Sequence, residues 1–365
     1  MSFFRYEPKV SFFKYGNKKV KVGGYIPDKE NANDKQYSAS RYTNQQLPPR
    51  VDLREYMSPV ENQGAIGSCT ANSMAGAYEY LAMRALGTTG DVSRLFIYYN
   101  ARYLDGQHAE DSGTSLRNCI KILQEMGACL EPTWPYTPEM VHEEPHTEAY
   151  DEAARFLIKE AERVEINLNA MKHCLAEGYP FAFGLQLFSS FETAGTNKGI
   201  VPIPHPGETH DGGHAMLCVG YSDKDKMFVV RNSWGTDWGD EGYCYIPYDY
   251  MTNPQLCGDC WTIKALSDVD FSEGVWQEEG SFLDEIIPLI SNYLDIENED
   301  EDEEEDEDED EDEEEEDEDE EEEDEDEDEE EEEEEDEDEE EEDEDEDEEE
   351  EEEEEGGYFK YKNRS

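Results

Sequence analysis

The sequence predicts an α+β protein with a mainly helical N-terminal lobe followed by an antiparallel, barrel-like β lobe. In the first half of the folded part, apolar residues recur at the helical spacing of three or four positions. After Tyr179 the apolar runs become short and β-branched or aromatic, and Gly, Pro and Asp bound them. The cleft between two such lobes is a common place for an active site.

One acidic tract accounts for most of the charge. The 365-residue chain has a net charge of −72, but residues 299–355 hold 57 of its 100 Asp and Glu, which leaves the other 308 residues at −15. We expect no binding to nucleic acid, because that affinity depends on Lys and Arg neutralising phosphates, and none to anionic membranes. No apolar run in the sequence is long enough to span a bilayer.

Composition divides the chain into five segments. They are a basic leader at 1–46, a folded body at 47–267 with a helical lobe at about 47–165 and a β lobe at about 166–267, a C-terminal extension at 268–298, the acidic tract at 299–355 and a short tail at 356–365. The leader carries turn signals at 23–28 and is predicted to be rich in loops. The acidic tract has no apolar residue, so we expect it to be extended and disordered.

Within the body the predicted elements follow in order. The first helix begins at Cys69 and stops at Gly87, and its apolar stripe consists of Met74, Ala77, Tyr78, Leu81 and Ala85. Further helices are predicted at about 94–102 and 115–126, and strands at 181–187, 214–221, 227–231 and 242–246. A short apolar stretch in the extension, 282–290, is predicted to dock a last helix on the body.

Cys69 is the candidate nucleophile. Cysteine reacts as the thiolate, and Cys69 begins a helix directly after Gly67 and Ser68, where unpaired N–H groups and the helix dipole favour negative charge. Gln63, earlier in the same loop, supplies a neutral side-chain N–H that can share an oxyanion with a backbone N–H.

A candidate base lies in the predicted β lobe. His214 follows two glycines on the way into a strand, and Asn232 lies at the end of the next strand. Pairing of these strands brings Asn232 close enough to accept the second ring N–H of His214 and to fix the orientation of the ring. A histidine held in this way can take the proton of the Cys69 thiol.

These motifs together resemble the papain-like cysteine peptidases, peptidase family C1. The resemblance covers about 220 residues and rests on Leu-Pro-Pro-Arg-Val-Asp-Leu-Arg at 47–54, Asn-Gln-Gly-Ala-Ile-Gly-Ser-Cys at 62–69, Gly-His-Ala at 213–215 and Asn-Ser-Trp-Gly at 232–235. The separation of 145 residues between Cys69 and His214 matches the spacing typical of that family.

The resemblance implies a two-lobe papain-like fold and a thiol protease that needs no cofactor and no metal. It assigns the nucleophile to Cys69, the general acid and base to His214, the orienting residue to Asn232 and the oxyanion donor to Gln63. It also implies supporting roles for Trp234 and Ser68, and contact with substrate for Gly113 and Ala215. The alternative is a catalytically inactive papain-like protein whose acidic tail binds basic partners.

The chain departs from the family pattern beside the nucleophile. Relatives usually have Cys-Gly-Ser-Cys-Trp, whereas residues 66–70 here are Ile-Gly-Ser-Cys-Thr. Loss of the first Cys removes a disulfide common in secreted relatives, which favours a reducing compartment. The motifs at 93–100, 111–117 and 134–136 resemble a divergent branch found in bacteria and large DNA viruses. The leader does not resemble a long helical propeptide, and we expect it to wrap the body or cover the cleft.

The remaining cysteines and histidines receive structural interpretations. The Cys-Gly-Asp-Cys motif at 257–260 has metal-ligand or redox spacing, but without a second pair a turn with two structural thiols is favoured. His205 and His210 lie in a loop with Pro and Gly, so we expect solvation rather than zinc binding. The other cysteines are expected to pack as small hydrophobes: Cys119, Cys129, Cys174, Cys218 and Cys244.

The expected partners are protein or peptide substrates. Three roles stay open for the acidic tail, namely solvation, capture of basic proteins, and docking on the basic leader. The protein is expected to be a monomer. Because the N-terminus lacks the apolar stretch of a secretory signal, we expect an intracellular, by default cytoplasmic, location, or a virion if the origin is viral.

Overall fold

The computed structural model describes residues 9–87, 89–155, 157–264, 271–277 and 279–284. The acidic tract, the short tail and most of the extension lie outside these residues. The described helices are α1 (Cys69–Leu86), α2 (Arg94–Tyr103), α3 (Leu116–Glu125), α4 (Thr147–Ala153), α5 (Leu168–Ala176) and α6 (Tyr248–Met251). The described strands are β1 (Ser11–Tyr15), β2 (Lys18–Val22), β3 (Arg50–Asp52), β4 (Glu160–Arg163), β5 (Phe181–Phe188), β6 (His210–Ser222), β7 (Met227–Arg231), β8 (Tyr243–Pro247), β9 (Cys257–Lys264) and β10 (Trp276–Gln277).

Helix α1 forms the centre of the helical part. It ends at Gly87, whose φ of +71° is the left-handed conformation that closes many helices and that glycine adopts without strain. Its first three turns are almost wholly buried against β6, α2 and α3. The side chains of Ser93 and Ser115 accept hydrogen bonds from the first turns of α2 and α3, which satisfies N–H groups that the helices leave unpaired.

The main sheet is antiparallel and carries the second half of the chain. Its strand order is β10-β3-β6-β5-β9-β4, with β7 paired to β6 and β8 paired to β7. The long strand β6 is the hub, because it pairs with β3, β5 and β7. The α+β prediction is confirmed, although β3 and β4 extend the sheet from the helical half of the chain and α5 lies just before the strands.

The leader contains a β-hairpin that the sequence interpretation missed. Strands β1 and β2 pair in antiparallel register around a turn at Gly16 and Asn17. The signal was present, since Gly-Asn separates two short runs whose inward residues Phe13, Val20 and Val22 are buried. The high Lys content concealed it, because most of these lysines lie on the outward face.

Described residues of the extension pack on the body. Strand β10 pairs with β3, and Phe282 is fully buried against the Arg50 guanidinium, 3.8 Å from its ring centroid. Most of the predicted last helix at 282–290 falls outside the described residues. The five cysteines predicted to pack as small hydrophobes are all buried, which confirms that prediction. None of the helices within the described ranges is long and apolar enough to cross a membrane.

Candidate active site

Cys69 lies at the N-terminus of α1 and is fully buried. The loop before it is held by Asp111, whose carboxylate accepts the N–H of Gly67 at 3.0 and 3.1 Å and the hydroxyl of Tyr98 at 2.6 Å. Ser68 bonds through its hydroxyl to the phenol oxygen of Tyr136 at 2.6 Å. The two residues before Cys69 are therefore both held in place, Gly67 through its backbone by Asp111 and Ser68 through its side chain by Tyr136.

His214 lies on β6 and is paired with Leu185 on β5. Its Nε2 is 2.8 Å from Oδ1 of Asn232, which directly follows β7. A carbonyl oxygen can only accept, so Nε2 carries the ring proton and Nδ1 is the basic nitrogen. Nδ1 is buried and has no hydrogen-bond partner among the described residues. The structure thus brings these two predicted residues together, 18 positions apart in sequence.

Aromatic rings cover the histidine-asparagine pair. The ring of Trp234 lies 4.8 Å from the ring of His214, and Trp238 packs edge-on against Trp234 at 5.0 Å. Both indoles are almost fully buried. Exclusion of water strengthens the hydrogen bond between His214 and Asn232, because the surrounding dielectric is low.

Gln63 is tied to the same group through Ser233. The Ser233 hydroxyl donates to Oε1 of Gln63 at 2.6 Å, and the Gln63 N–H donates to the Ser233 carbonyl at 2.8 Å. These bonds leave Nε2 as the donor end of the amide, which contacts the Ile66 carbonyl at 2.9 Å and the Lys21 carbonyl at 3.4 Å. Nε2 of Gln63, the predicted oxyanion donor, therefore already lies next to a carbonyl oxygen of the leader.

The leader fills the cleft. Lys21 donates its N–H to the Gly64 carbonyl at 3.1 Å, and Gly23 donates to the carbonyl of Gly213, the residue before His214, at 3.0 Å. The Lys21 ammonium lies 2.5 Å from the Asp111 carboxylate. Residues 21–23 thus bind both the loop before Cys69 and the strand of His214.

Gly24 sits directly on the loop that leads to the nucleophile. Thr114 donates its N–H to the Gly24 carbonyl at 3.0 Å, and Ile26 donates to the Thr114 carbonyl at 2.9 Å. A Cβ placed on Gly24 would lie 2.2 Å from the Gly67 carbonyl oxygen, and one on Gly113 would lie 2.4 Å from the Gly24 carbonyl oxygen. The backbones approach so closely that only glycine fits at both positions.

Burial by these surroundings changes the ionisation of both central groups. Burial raises the pKa of the Cys69 thiol to about 12, although the N–H groups of Ala215, Thr70 and Cys69 itself lower it. Burial lowers the pKa of His214 to about 4, and the bond to Asn232 raises it only in part. With the leader in place, the thiol and the imidazole are therefore both neutral. The effect of the Ala215 N–H also locates the thiol beside the residue that follows His214.

Two features of the site extend the sequence prediction. Sequence reasoning gives Tyr136 no role in the site, yet its hydroxyl bonds to Ser68 and donates to the Gln63 carbonyl at 3.0 Å. Gly113 lies against Gly24 of the leader, and the N–H of Ala215 lies beside the Cys69 thiol; contact of these two residues with substrate stays a prediction. Within the described ranges no three His, Cys, Asp or Glu side chains are arranged to hold a metal ion.

Comparisons with known proteins agree on one family. The family description "Papain family cysteine protease" matches residues 47–258. An uncharacterised peptidase C1-like protein of Acanthamoeba polyphaga mimivirus is 38% identical over 228 residues, which are 60% of this chain and 73% of that protein. Thiol protease aleurain of Arabidopsis thaliana is 28% identical over 231 residues, 60% of each chain.

Solved structures show the same fold. Xylellain, a cysteine protease from Xylella fastidiosa, has 37% sequence identity and a TM-score of 0.63, and the match covers 69% of this chain and all of that one. Digestive procathepsin L 3 of Tenebrio molitor has 18% identity and a TM-score of 0.53, and the match covers 64% of this chain and 74% of that one, which shows the fold alone.

Proposed function

The chain belongs to the papain family of cysteine proteases and is a peptidase, and from this premise we propose that Cys69, His214 and Asn232 perform its reaction. One observation carries the proposal. Oδ1 of Asn232 accepts a hydrogen bond from Nε2–H of His214, which leaves Nδ1 basic and without a partner among the described residues, while the thiol of Cys69 lies against the N–H of the next residue, Ala215. This arrangement suits proton transfer from the thiol to the imidazole.

The proposed reaction hydrolyses a peptide bond in two stages. The Cys69 proton passes to Nδ1 of His214, and the thiolate attacks the scissile carbonyl at a helix N-terminus that favours negative charge. The N–H of Cys69 and Nε2 of Gln63 donate to the oxyanion, and His214 protonates the leaving amine. Water, deprotonated by His214, then attacks the thioester and frees the acid and the thiol.

Trp234 and Ser68 take supporting roles in this proposal. Trp234 keeps water from the bond between His214 and Asn232, which holds the imidazole in one orientation. Ser68 links the nucleophile loop to Tyr136 and so to the backbone of Gln63. Gly113 borders the space that Gly24 of the leader occupies, and Ala215 lies beside the Cys69 thiol; a substrate backbone that replaces the leader passes both residues.

Stoichiometric labelling tests this assignment. A thiol-directed peptidyl inhibitor should modify Cys69 once per chain after the leader is displaced, and His214→Ala should abolish the fast reaction. Cys244→Ala is the matched control, because Cys244 is equally buried but lies on β8. Modification of Cys69 no faster than that of free cysteine would favour the inactive protein with a binding role.

Tyr136→Phe tests the positioning of the oxyanion donor. The phenol contacts both Ser68 and Gln63, so its removal loses two hydrogen bonds worth about 1 kcal/mol each while the ring stays in place. We expect kcat to fall by up to roughly 30-fold, because about 2 kcal/mol corresponds to that factor, with KM little changed. A Tyr150→Phe variant, which loses a hydroxyl bonded to Asn100, should keep kcat.

Docking of the leader is expected to depend on pH through Asp28. This leader carboxylate is buried, accepts from the Trp261 Nε1–H at 2.7 Å and the Arg117 N–H at 3.1 Å, and lies 3.9 and 3.8 Å from the guanidiniums of Arg117 and Arg163. Two further carboxylates, those of Asp34 and Asp259, bind the same guanidiniums and oppose ionisation of Asp28. Tyr25 and Cys119 also lie near Asp28, and Cys257 lies near Tyr25. Three carboxylates thus share two guanidiniums.

The direction in which leader docking changes with pH follows from Asp28, one of three carboxylates that share two guanidiniums. Burial, with the charge of Asp259, raises the pKa of Asp28 to about 6 from 3.8, so the docked leader holds a proton that the free leader releases. The contribution of protonated Asp28 to the free energy of leader docking is complete below about pH 4 and is lost as the pH rises through about 6. Labelling of Cys69 by a small thiol reagent should therefore accelerate between pH 5 and 7, and Asp28→Asn should remove that part of the change.

Partners and location stay proposals. Family membership supports protein or peptide substrates, and the −57 charge of tract 299–355 supports capture of basic proteins among them. Deletion of the tract should lower cleavage of basic relative to neutral proteins at low salt; an unchanged ratio would contradict capture. The eight cysteines, all free, suit an intracellular, reducing location, and the viral relative suits a viral origin.

A further inference from the structure

Tyr25 of the leader fills a pocket beside the candidate active site. Its side chain is fully buried, and its ring passes over Gly184 of β5 so closely that a Cβ on that glycine would lie 2.0 to 2.5 Å from three ring atoms. A Cβ on Gly258 would lie 3.2 Å from the phenol oxygen. Two glycines, on neighbouring strands that pair at these positions, therefore make room for the ring.

The far end of the pocket carries a fixed acceptor. The Tyr25 hydroxyl donates to Oδ2 of Asp259 at 2.6 Å. The other oxygen, Oδ1, binds the guanidinium of Arg163, which holds the carboxylate in one orientation. Asp259 is only 6% exposed, so an Oδ2 without a donor would be costly. The motif at 257–260 thus acquires a role that neither a metal nor a redox interpretation supplies.

The pocket opens into the same cleft as Cys69. Gly184 pairs with Ala215, whose N–H lies beside the Cys69 thiol, and Gly24, the neighbour of Tyr25, rests on Gly67. A peptide that replaces the leader over Cys69 therefore has a side chain within reach of this pocket.

We propose that this pocket selects a tyrosine side chain of the substrate, whose ring lies on Gly184 and whose hydroxyl donates to Asp259. The inference rests on the proposed function of Cys69 and adds a substrate class to it. When the leader leaves, Oδ2 of Asp259 loses both of its leader donors, the Tyr25 hydroxyl and the Asp28 N–H. A substrate phenol restores one of them, whereas a phenylalanine ring fills the space and leaves Oδ2 without a donor, although Oδ1 keeps its bond to Arg163.

Electrostatics disfavour a basic side chain in this pocket. Arg117 and Arg163 are balanced here partly by Asp28 and Asp34, and both of these carboxylates belong to the leader. Departure of the leader leaves two guanidiniums facing the single carboxylate of Asp259. An incoming Arg or Lys meets that positive charge, while a neutral phenol does not.

Cleavage of matched peptides tests the proposal. Peptides that differ only by Tyr, Phe or Arg at one position, scanned along the sequence, are offered to the full-length Gly24→Ala protein, in which the leader cannot dock as before. We expect kcat/KM at one position to favour Tyr over Phe by about tenfold or more, with Arg lowest. Asp259→Asn should reduce the Tyr-to-Phe ratio, because Arg163 binds the amide oxygen and the N–H₂ that then faces the pocket can offer the phenol oxygen only a neutral bond, weaker than the bond from the phenol to a carboxylate.

A second variant tests the shape of the pocket. Gly184→Ala places a methyl group where the ring lies, so peptides with Tyr and Phe should both lose activity relative to a matched alanine peptide. The full-length Tyr25→Phe protein tests the hydrogen bond without any substrate, since a weaker anchor should speed labelling of Cys69 severalfold. An unchanged labelling rate would overturn the role of the phenol.

The outcomes separate this inference from the proposed function. Cleavage without any preference for Tyr overturns the pocket proposal and leaves the peptidase assignment intact. If no peptide is cleaved, the catalytic assignment fails, and binding of the same peptides to the Gly24→Ala protein decides the pocket: tighter binding of the Tyr peptide supports it, and equal binding overturns it.

Discussion

Replacement of Cys69 by alanine is expected to reduce peptide hydrolysis by roughly 10⁴-fold or more, because the proposed covalent intermediate forms on the sulfur of this residue. The change removes one sulfur from a buried site at the start of α1, so the fold should persist. The rate is measured with the Gly24→Ala background in both proteins, so that the leader does not limit either.

The control for this prediction is Cys244→Ala. Cys244 is also a fully buried thiol whose pKa burial raises, but it lies on β8 and contacts none of the proposed catalytic groups named above. It should keep near-normal kcat with a small loss of stability. Residual activity in the Cys69 variant equal to that of the control would refute the nucleophile assignment.

Gly24→Ala is expected to increase the activity of the full-length protein by about tenfold or more. The added Cβ would lie 2.2 Å from the backbone oxygen of Gly67, a contact that only displacement of the leader relieves. A loss of about 1.4 kcal/mol in the free energy of leader docking already raises the ratio of undocked to docked molecules tenfold. Initial rates on a short peptide measure the effect, and labelling of Cys69 reports the exposure directly.

Gly16→Asn provides the matched leader control. Gly16 lies in the hairpin turn with a φ of +53°, a conformation that asparagine tolerates, and a Cβ there contacts nothing within 4 Å. This variant should keep the low rate of the parent chain. If Gly24→Ala released the leader and the rate stayed low, an inhibitory role for the leader would be excluded.

The leader shows where local patterns fall short. Its hairpin was visible as Gly-Asn between alternating residues, but nothing local indicates that residues 21–26 lie across the cleft. Those contacts join Gly23 to Gly213 and Gly24 to Gly67 and Thr114, and they depend on how two distant parts of the chain pack. The expectation that the leader covers the cleft rests on its length and charge. Of the leader lysines, Lys21 contributes to this docking, because its ammonium binds Asp111 in the loop region before Cys69.

The sequence by itself determined the α+β class and the residue types available for thiol chemistry, because helix and strand periods, composition and motif order are local properties. Proximity of His214 and Asn232 also followed from it, since adjacent strands pair. The segment boundaries stay predictions. Only the tertiary structure decided that Tyr25 meets Gly184 and Asp259, and that Asp28 is a third carboxylate beside two guanidiniums. Such contacts arise from the register and packing of elements far apart in the chain, which local sequence patterns do not encode.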